Sequence, residues 1–154
     1  MDPPVPTPPT YDLAHLQAIH QWLFQDVYEW AGQLRVRDYN KGFSSFWPLD
    51  SLARRSESVF GRLASGPLMD HDVPDDRFLS LLSFLYLDVN HLHPFREGNG
   101  RAQRTFLDDV AAISGRTIAW EAISREENDS ACAASLAEQT NQPLADLLRN
   151  RIRR

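Results

Sequence analysis

Apolar residues recur at three- and four-residue spacing in several stretches of the chain, as they do on the buried face of an amphipathic helix. The first stretch begins after Asp12, a predicted N-cap, and is expected to stop at Gly32. Of its two histidines, we expect His15 to face water and His20 to pack close to the apolar face. The apolar positions of this stretch are Leu13, Leu16, Ile19, Leu23, Val27 and Trp30.

The later stretches carry the start signals of further helices. Asp50 is a predicted N-cap, and Ser124 with Glu127 forms a predicted capping box. A last helix is expected to open at Asn141. The most regular apolar stripe lies between these elements and consists of Phe78, Leu81, Leu82, Leu85 and Val89. The sequence therefore predicts an all-α fold.

The segment 32–48 departs from the helical pattern. Leu34 and Val36 alternate with Arg35 and Arg37, and turn-forming residues follow them. This pattern predicts a short β-hairpin or extended flap. Its aromatic residues either pack on the helices or form a contact surface, and they are Phe43, Phe46 and Trp47.

Composition limits the classes of function. The chain has 154 residues, which favours one domain, and its net charge of −5 argues against sequence-independent binding of nucleic acid. No apolar run is long enough to span a membrane. A single cysteine, Cys132, suits a reducing cytoplasm. We expect a Pro-rich arm over residues 1–11, one domain over 12–148 and a basic, solvated tail over 149–154.

The segment 93–104, HPFREGNGRAQR, concentrates the candidate chemistry. Gly98 and Gly100 allow the backbone to approach a ligand closely, and they precede a predicted helix whose first N–H groups favour an anion. Asn99 is expected to donate its amide to that anion, to cap the helix, or to do both. Phe95 is expected to turn inward and hold the loop to the core.

Two arginines follow the glycines on one face of the predicted helix. Arg101 and Arg104 repel each other unless an anion lies between them, and guanidinium groups bind phosphates in a bidentate manner. The alternative is a pair of solvated arginines, with Arg104 bridged to Asp108 one turn later.

The remaining groups of the segment suggest a base and a metal ligand. The carboxylate of Glu97 beside a phosphate site favours an intervening Mg²⁺, which typically binds one or two carboxylates and completes its shell with phosphate and water. The imidazole of His93 is able to accept a proton at neutral pH. A Walker-type loop and a dinucleotide fingerprint are excluded, because no Gly-Lys-Ser/Thr and no preceding strand is present.

The segment matches the motif His-x-Phe-x-Asp/Glu-Gly-Asn-Gly-Arg-x-x-Arg of the Fic (filamentation induced by cAMP) family at every fixed position. The flanking stretches IHQWLFQDVYEWAGQLR, NKGFSSFWP and AAISGRTIAW also resemble Fic domains. The resemblance extends from Asp12 to Leu148. It implies a compact helical bundle with a β-hairpin flap over the active-site loop.

The resemblance also implies an activity, namely transfer of AMP from ATP to a Tyr, Thr or Ser hydroxyl of a target protein. His93 would be the catalytic base and Glu97 would hold Mg²⁺. Arg101 would bind the β-phosphate and Arg104 the γ-phosphate. The full set of implied nucleotide-binding residues is Arg96, Glu97, Gly98, Asn99, Gly100, Arg101 and Arg104. The flap residues expected near the target are Lys41, Gly42 and Phe46.

Regulation and targets follow from the same resemblance. Many Fic domains carry an inhibitory helix whose Glu pairs with the second arginine of the motif, and no complete copy of its pattern is found in this sequence. A toxin of a bacterial toxin–antitoxin pair is therefore implied, with a small antitoxin that supplies a Glu to Arg104. Toxins of this group act on ATPase subunits of type II topoisomerases. The expected location is the bacterial cytoplasm, with secretion into a host cell left open.

Two alternatives to AMP transfer stay open. One is a Fic variant that transfers another phosphate-containing group, and the other is a nucleotide-binding module without turnover. Neither direct binding of nucleic acid nor membrane association is expected.

Overall fold

The computed structural model describes residues 8–41 and 44–154. Helices dominate the fold, with the bounds α1 Leu13–Phe24, α2 Leu52–Ala64, α3 Asp75–Leu92, α4 Asn99–Ile113, α5 Arg125–Glu138 and α6 Gln142–Leu148. Strand β1 (Asn40–Lys41) pairs with β2 (Ser44–Ser45) as an antiparallel hairpin. Strand β3 (Thr117–Ile118) pairs with β4 (Ile152–Arg153). The predicted all-α class with a small hairpin is confirmed, whereas the second strand pair was not predicted.

Helix α3 lies at the centre and packs against α2, α4, α5 and α6, while α1 packs on α4. The predicted stripe of α3 is buried at Phe78, Leu82, Leu85 and Val89. Tyr86 and Leu87, between these positions, are buried as well. A helix that is apolar on most of its surface belongs to the core. The packing around α3 therefore holds both of its ends in place.

Three of the four predicted helix starts are confirmed, including the start of α6 after Asn141, and one is wrong. The Asp12 carboxylate accepts from the His15 N–H at 2.9 Å, and Ser124 with Glu127 forms the capping box. Asp50 does not cap α2, which begins at Leu52 after a 3-10 turn over Leu49–Ser51. The Leu49 N–H donates instead to the Asp38 carboxylate at 2.7 Å, so a residue preceding the hairpin satisfies this end.

Helix α1 is shorter than the sequence indicates, because it ends at Phe24 rather than near Gly32. The chain then turns so that Tyr28 and Trp30 stack with their ring centres 4.2 Å apart. Gly32 closes this turn with φ of +81°. Val27, which belongs to the predicted apolar face, is 66% exposed.

The prediction that His15 faces water is also wrong. His15 is buried between Tyr11 and Phe106, and its Nε2 lies 2.8 Å from an Asp109 carboxylate oxygen. Asp109 belongs to α4, so the spacing of residues within α1 could not predict this contact. His20 is fully buried, and its prediction as a packing residue is confirmed.

The C-terminal residues, predicted as a basic and solvated tail, include strand β4, and the side chains of Arg153 and Arg154 stay 63% exposed. Ile152 and Arg153 are paired with β3, and the Arg153 guanidinium lies 3.2 Å from Glu121. Arg154 lies 3.0 Å from Asp75 at the start of α3. Within the described part of the chain, no helix has both the length and the apolar content needed to cross a membrane.

Candidate active site

The site forms where α3 ends and α4 begins. His93 is the residue that terminates α3, with φ of +39°, a left-handed conformation uncommon for residues other than glycine. After residues 94–97, Gly98 takes up φ of +80° and α4 starts at Asn99. The last carbonyls of one helix and the first N–H groups of the next therefore face a common loop.

Asn99 braces this loop and does not cap the helix. Its Oδ1 accepts from the Phe95 N–H at 2.9 Å, and its Nδ2 donates to the Phe95 carbonyl at 2.7 Å. Both ends of the buried amide are thus occupied by one residue of the loop. The predicted cap is wrong, whereas the contact of Asn99 with an anion stays a prediction, because its side-chain nitrogen carries a second N–H donor besides the one bound to Phe95.

His20 holds the loop from the other side. Its Nδ1 accepts from the Gly32 N–H at 2.9 Å, so the proton is on Nε2, which lies 2.8 Å from the Glu97 carbonyl. The imidazole also stacks on Phe95 with ring centres 3.9 Å apart. Burial lowers the pKa of His20 below its ordinary value, which favours the neutral ring that these contacts need. The predicted inward position of Phe95 is confirmed.

The two glycines have different surroundings. A Cβ on Gly98 would lie 2.5 Å from the Phe24 ring, and the positive φ disfavours any side chain there. A Cβ on Gly100 would lie 3.3 Å from a terminal nitrogen of Arg104. The Arg104 guanidinium therefore reaches back over the first turn of α4.

A cavity of about 380 Å³ opens beside this turn. Residues of α3, α4 and α5 line it, together with Phe46. From the predicted set, it brings together His93, Asn99, Gly100 and Arg104. The Phe46 ring covers the His93 imidazole at 3.7 Å between ring centres and 8° between planes. His93 and the residue that follows β2 are therefore in direct contact.

The other charged residues of the motif lie outside this cavity. Glu97 and Arg101 are exposed, and the Arg101 guanidinium lies 5.8 Å from the centre of the Phe24 ring. Arg96 is 5.5 Å from the centre of the Trp30 ring and lines a separate cavity. The structure thus does not bring the motif arginines to one point, and a role of Arg96 in nucleotide binding stays a prediction.

The alternative pairing of Arg104 with Asp108 is not observed. Among residues 8–41 and 44–154, no carboxylate lies within 4.0 Å of the Arg104 guanidinium. Asp108 accepts instead from the Trp120 indole N–H at 2.7 Å. Burial raises the pKa of Asp108 to about 6. Arg104 lines the cavity, and its charge also acts on Asp108, where it partly opposes the effect of burial on the pKa.

Of the three flap predictions, only Phe46 can be followed to its contacts. Lys41 belongs to β1, where it pairs with Ser44 of β2. Gly42, like Phe43, lies outside the described residues.

Two features of the site were missed by the sequence analysis. Arg35 is 3% exposed and binds the loop backbone, although its alternation with Leu34 and Val36 indicated a polar, exposed side. Tyr86 lines the cavity and donates to Asn128 Oδ1 at 2.6 Å. Burial raises the pKa of Tyr86 well above its ordinary value. The continuous apolar run around Tyr86 was the only available signal.

Comparison with known proteins agrees with this geometry. The Fic/DOC family matches residues 10–111. "Probable protein adenylyltransferase y4lH" of Sinorhizobium fredii is 38% identical over 104 residues, covering 68% of this chain and 54% of that protein. Protein adenylyltransferase VbhT of Bartonella schoenbuchensis is 33% identical over 140 residues, covering 91% of this chain and 29% of that protein.

A solved structure extends the agreement to the fold. The N-terminal Fic domain of a VirB-translocated Bep effector from Bartonella quintana, with bound ADP, superposes with a TM-score of 0.88. It is 25% identical, and the match covers 96% of this chain and 76% of that one. This helical fold, with a hairpin beside the loop that joins its central helices, is the architecture of Fic domains. The chain belongs to the Fic/DOC family. It spans little more than half the length of the y4lH protein that it matches.

Proposed function

We propose that this chain is a protein adenylyltransferase that transfers AMP from ATP to a Tyr, Thr or Ser hydroxyl of a target protein. One observation carries the proposal: the His93 imidazole, the start of α4 and the Arg104 guanidinium meet in one cavity. The curated relatives named as protein adenylyltransferases support it.

The cavity suits a nucleotide in size and charge. Its volume of about 380 Å³ falls in the range of small-molecule sites. Unpaired N–H groups at the start of α4 favour a phosphate, and Arg104 adds a guanidinium on the same side. Arg101, at the exposed rim, would reach only a phosphate that extends out of the cavity. We infer that the phosphate chain runs from the cavity along the first turn of α4.

His93 would act as the general base. Its ring takes the proton from the target hydroxyl, whose oxygen then forms a bond to the α-phosphorus of ATP. The bond from that phosphorus to the bridging oxygen breaks, and pyrophosphate leaves with the bonding electrons. The N–H groups of residues 98–100 stabilise the charge that develops on the phosphate oxygens. Catalysis therefore depends on alignment and charge stabilisation rather than on covalent work by the protein.

Glu97 would hold the Mg²⁺ that accompanies ATP. In the described residues no group of three or more His, Cys, Asp or Glu side chains forms a complete metal site. A single exposed carboxylate beside an anion site fits Mg²⁺, which takes the rest of its shell from phosphate and water. When bound, the ion would neutralise charge on the phosphates.

The hairpin would bind the target as an added strand. Strand addition uses main-chain hydrogen bonds, and the short β1–β2 pair lies next in sequence to the ring that covers His93. Lys41, Gly42 and Phe46 are the proposed contact residues.

A toxin role with inhibition in trans completes the proposal. Arg104 has no carboxylate partner among the described residues, so a Glu from a small antitoxin would find its guanidinium unoccupied by the chain itself. The proposed targets are ATPase subunits of type II topoisomerases, and the proposed location is the bacterial cytoplasm.

Labelled ATP tests the activity directly. Purified protein is incubated with a bacterial lysate and with ATP labelled at either the α- or the γ-phosphate. Label from the α-phosphate on protein, together with a mass increase of one AMP, is the expected result. Label from the γ-phosphate would instead indicate phosphate transfer, and binding of ATP with neither label on protein would indicate a binding module. Either of these results overturns the proposal.

A further inference from the structure

We propose that Arg35 is a positioning residue for His93, because its buried guanidinium fixes the backbone of the base and joins it to the segment that follows the hairpin. The inference rests on the proposed function, in which His93 accepts the proton of the target hydroxyl.

The contacts of Arg35 converge on the end of α3. Its Nε donates to the His93 carbonyl at 2.8 Å, and Nη2 donates to the Leu92 carbonyl at 3.3 Å. Its backbone N–H donates to the Pro94 carbonyl at 2.8 Å. Three consecutive residues around the base are thus held by one arginine, which is 3% exposed.

These carbonyls need a partner. The last carbonyls of a helix lack intrahelical donors, and a cation is favourable at this end of the helix dipole. His93 also takes up a left-handed conformation, which persists only where its surroundings impose it. Arg35 supplies the donors and the charge at the point where this conformation begins.

The same guanidinium also binds backbone next to Phe46, the residue whose ring stacks on His93. Nη1 donates to the Arg37 carbonyl at 2.8 Å, and Nη2 donates to the Trp47 carbonyl. The Trp47 N–H donates to the His91 carbonyl at 2.8 Å. Phe46, the residue before Trp47, covers the His93 ring. Arg35 therefore sets the backbone positions of both rings in the His93–Phe46 stack.

A role in binding phosphate does not fit this geometry. The Arg35 guanidinium donates its hydrogen bonds to backbone carbonyls, and Arg35 does not line the cavity with His93. The nearby carboxylate of Asp38 is 3.7 Å away and largely exposed. Removal of Arg35 should therefore affect the turnover number and not the binding of ATP.

The chain provides a matched control in Arg116, which is equally buried. Arg116 donates to Asp75, to the Val73 carbonyl and to the Ser114 hydroxyl, near the opposite end of α3 from His93. Loss of either arginine removes a buried guanidinium with several hydrogen bonds. Only loss of Arg35 should change the position of His93.

The kinetic test compares Arg35→Gln with Arg116→Gln at a temperature where both are folded. Arg35→Gln should lower kcat by about 10- to 100-fold, because small misplacements of a reacting group are costly, with KM for ATP within about 2-fold of wild type. Arg35→Lys, which keeps the charge but not the planar set of donors, should recover part of the loss. Arg116→Gln should leave kcat within about 2-fold. Equal losses in both Gln variants, or a raised KM with unchanged kcat in Arg35→Gln, overturn the inference.

A second measurement is independent of catalysis. The His93 Cε1–H resonance, assigned by its loss in His93→Gln, should carry the ring-current shift of the Phe46 stack in nucleotide-free protein. Arg35→Gln should move this resonance towards the position of an unstacked histidine, whereas Arg116→Gln should not. An unmoved resonance in Arg35→Gln refutes the positioning role whatever the activity. If the wild type transfers no AMP but the resonance moves as expected, the proposed function fails and the positioning of His93 stands. Should Arg35→Gln not fold, Arg35→Lys serves for both measurements.

Discussion

The two ends of α3 each hold a buried arginine, but the two side chains serve different purposes. At the start of the helix, Arg116 meets the carboxylate of Asp75, which Arg154 also contacts. At its end, Arg35 binds the carbonyls of Leu92 and His93. The first arrangement neutralises charge and ties β3 to the helix. The second fixes backbone beside the cavity, so one end of α3 supports the fold and the other supports the proposed chemistry.

The contrast is also visible in the electrostatics of the two ends. Arg116 and Arg154 lower the pKa of the Asp75 carboxyl through hydrogen bonds, as expected of an ion pair. Burial lowers the pKa of Arg35 below its ordinary value, which reflects a cation held mainly by peptide dipoles. A buried charge whose carboxylate partner, here Asp38 at 3.7 Å, is largely exposed is expensive, and such arrangements concentrate at functional sites.

The largest effect is expected for His93→Ala at the functional end. Loss of a general base typically lowers the rate by about 10²- to 10⁴-fold, and the affinity for ATP should change little because phosphate binding depends on α4 and Arg104. Single-turnover AMP transfer and ATP titration measure the two quantities. If His93→Ala keeps most of the wild-type turnover, the two ends of α3 do not differ in their role in catalysis.

Arg116→Met tests the structural end. The substitution leaves the Val73 carbonyl without its donor and removes a fully buried side chain, so the free energy of unfolding should fall by about 2–4 kcal/mol. AMP transfer by the folded fraction should be close to that of wild type. Denaturant unfolding and kinetics on the same preparation check this. A large drop in kcat would show that both ends act on the site.

Gly98→Ala sharpens the comparison within the loop. The positive φ and the approach to Phe24 should lower the free energy of unfolding by about 1–3 kcal/mol. Gly61 in α2 provides the control, because, its adjacent residues and the nearby backbone of its own helix aside, no atom of residues 8–41 and 44–154 lies within 4 Å of an added Cβ there. Gly61→Ala should stabilise the protein by up to about 1 kcal/mol. Equal effects at both glycines would mean that the close packing at Gly98 is not needed.

The smallest effect concerns the pH dependence of the functional end. Burial, and then the nearby Arg55, lower the pKa of His91 below its ordinary value. The folded protein therefore prefers the neutral ring, and the stability that this group contributes is lost as the pH falls below the pKa of the unfolded chain, about 6.5. The melting temperature of wild type should fall more between pH 7.5 and 5.5 than that of His91→Gln. Parallel curves would exclude His91 as a source of acid sensitivity.

Local signals in the sequence predicted the local features well. The caps at Asp12 and Ser124 depend on residues a few positions apart, and the apolar stripe of α3 reflects helical spacing. The motif segment likewise predicted a helix start preceded by a loop. Such features are encoded by neighbours in the chain, which is why they could be read without a structure.

Several of the errors involve partners distant in sequence. His15 is buried because Asp109 accepts its hydrogen bond, and Asp50 loses its capping role to Asp38. The alternation of Arg35 with Leu34 and Val36 indicated a polar, exposed position, yet the Arg35 side chain binds carbonyls at the end of α3. Spacing cannot indicate which distant backbone group needs a donor. For the same reason, the motif did not reveal that only Arg104 of its arginines lines the cavity with His93.

The contacts of His20 have a consequence for how this chain can be altered. Its ring accepts from the Gly32 N–H and donates to the Glu97 carbonyl. One imidazole of α1 therefore links the turn at Gly32 to the motif loop. Grafting residues 93–104 onto another helical scaffold would remove the hydrogen bond from His20 to the Glu97 carbonyl. The loop would then no longer be held in its position relative to α1. A transplant would therefore need α1 and the turn at Gly32 as well, which makes the first part of the described chain inseparable from the site.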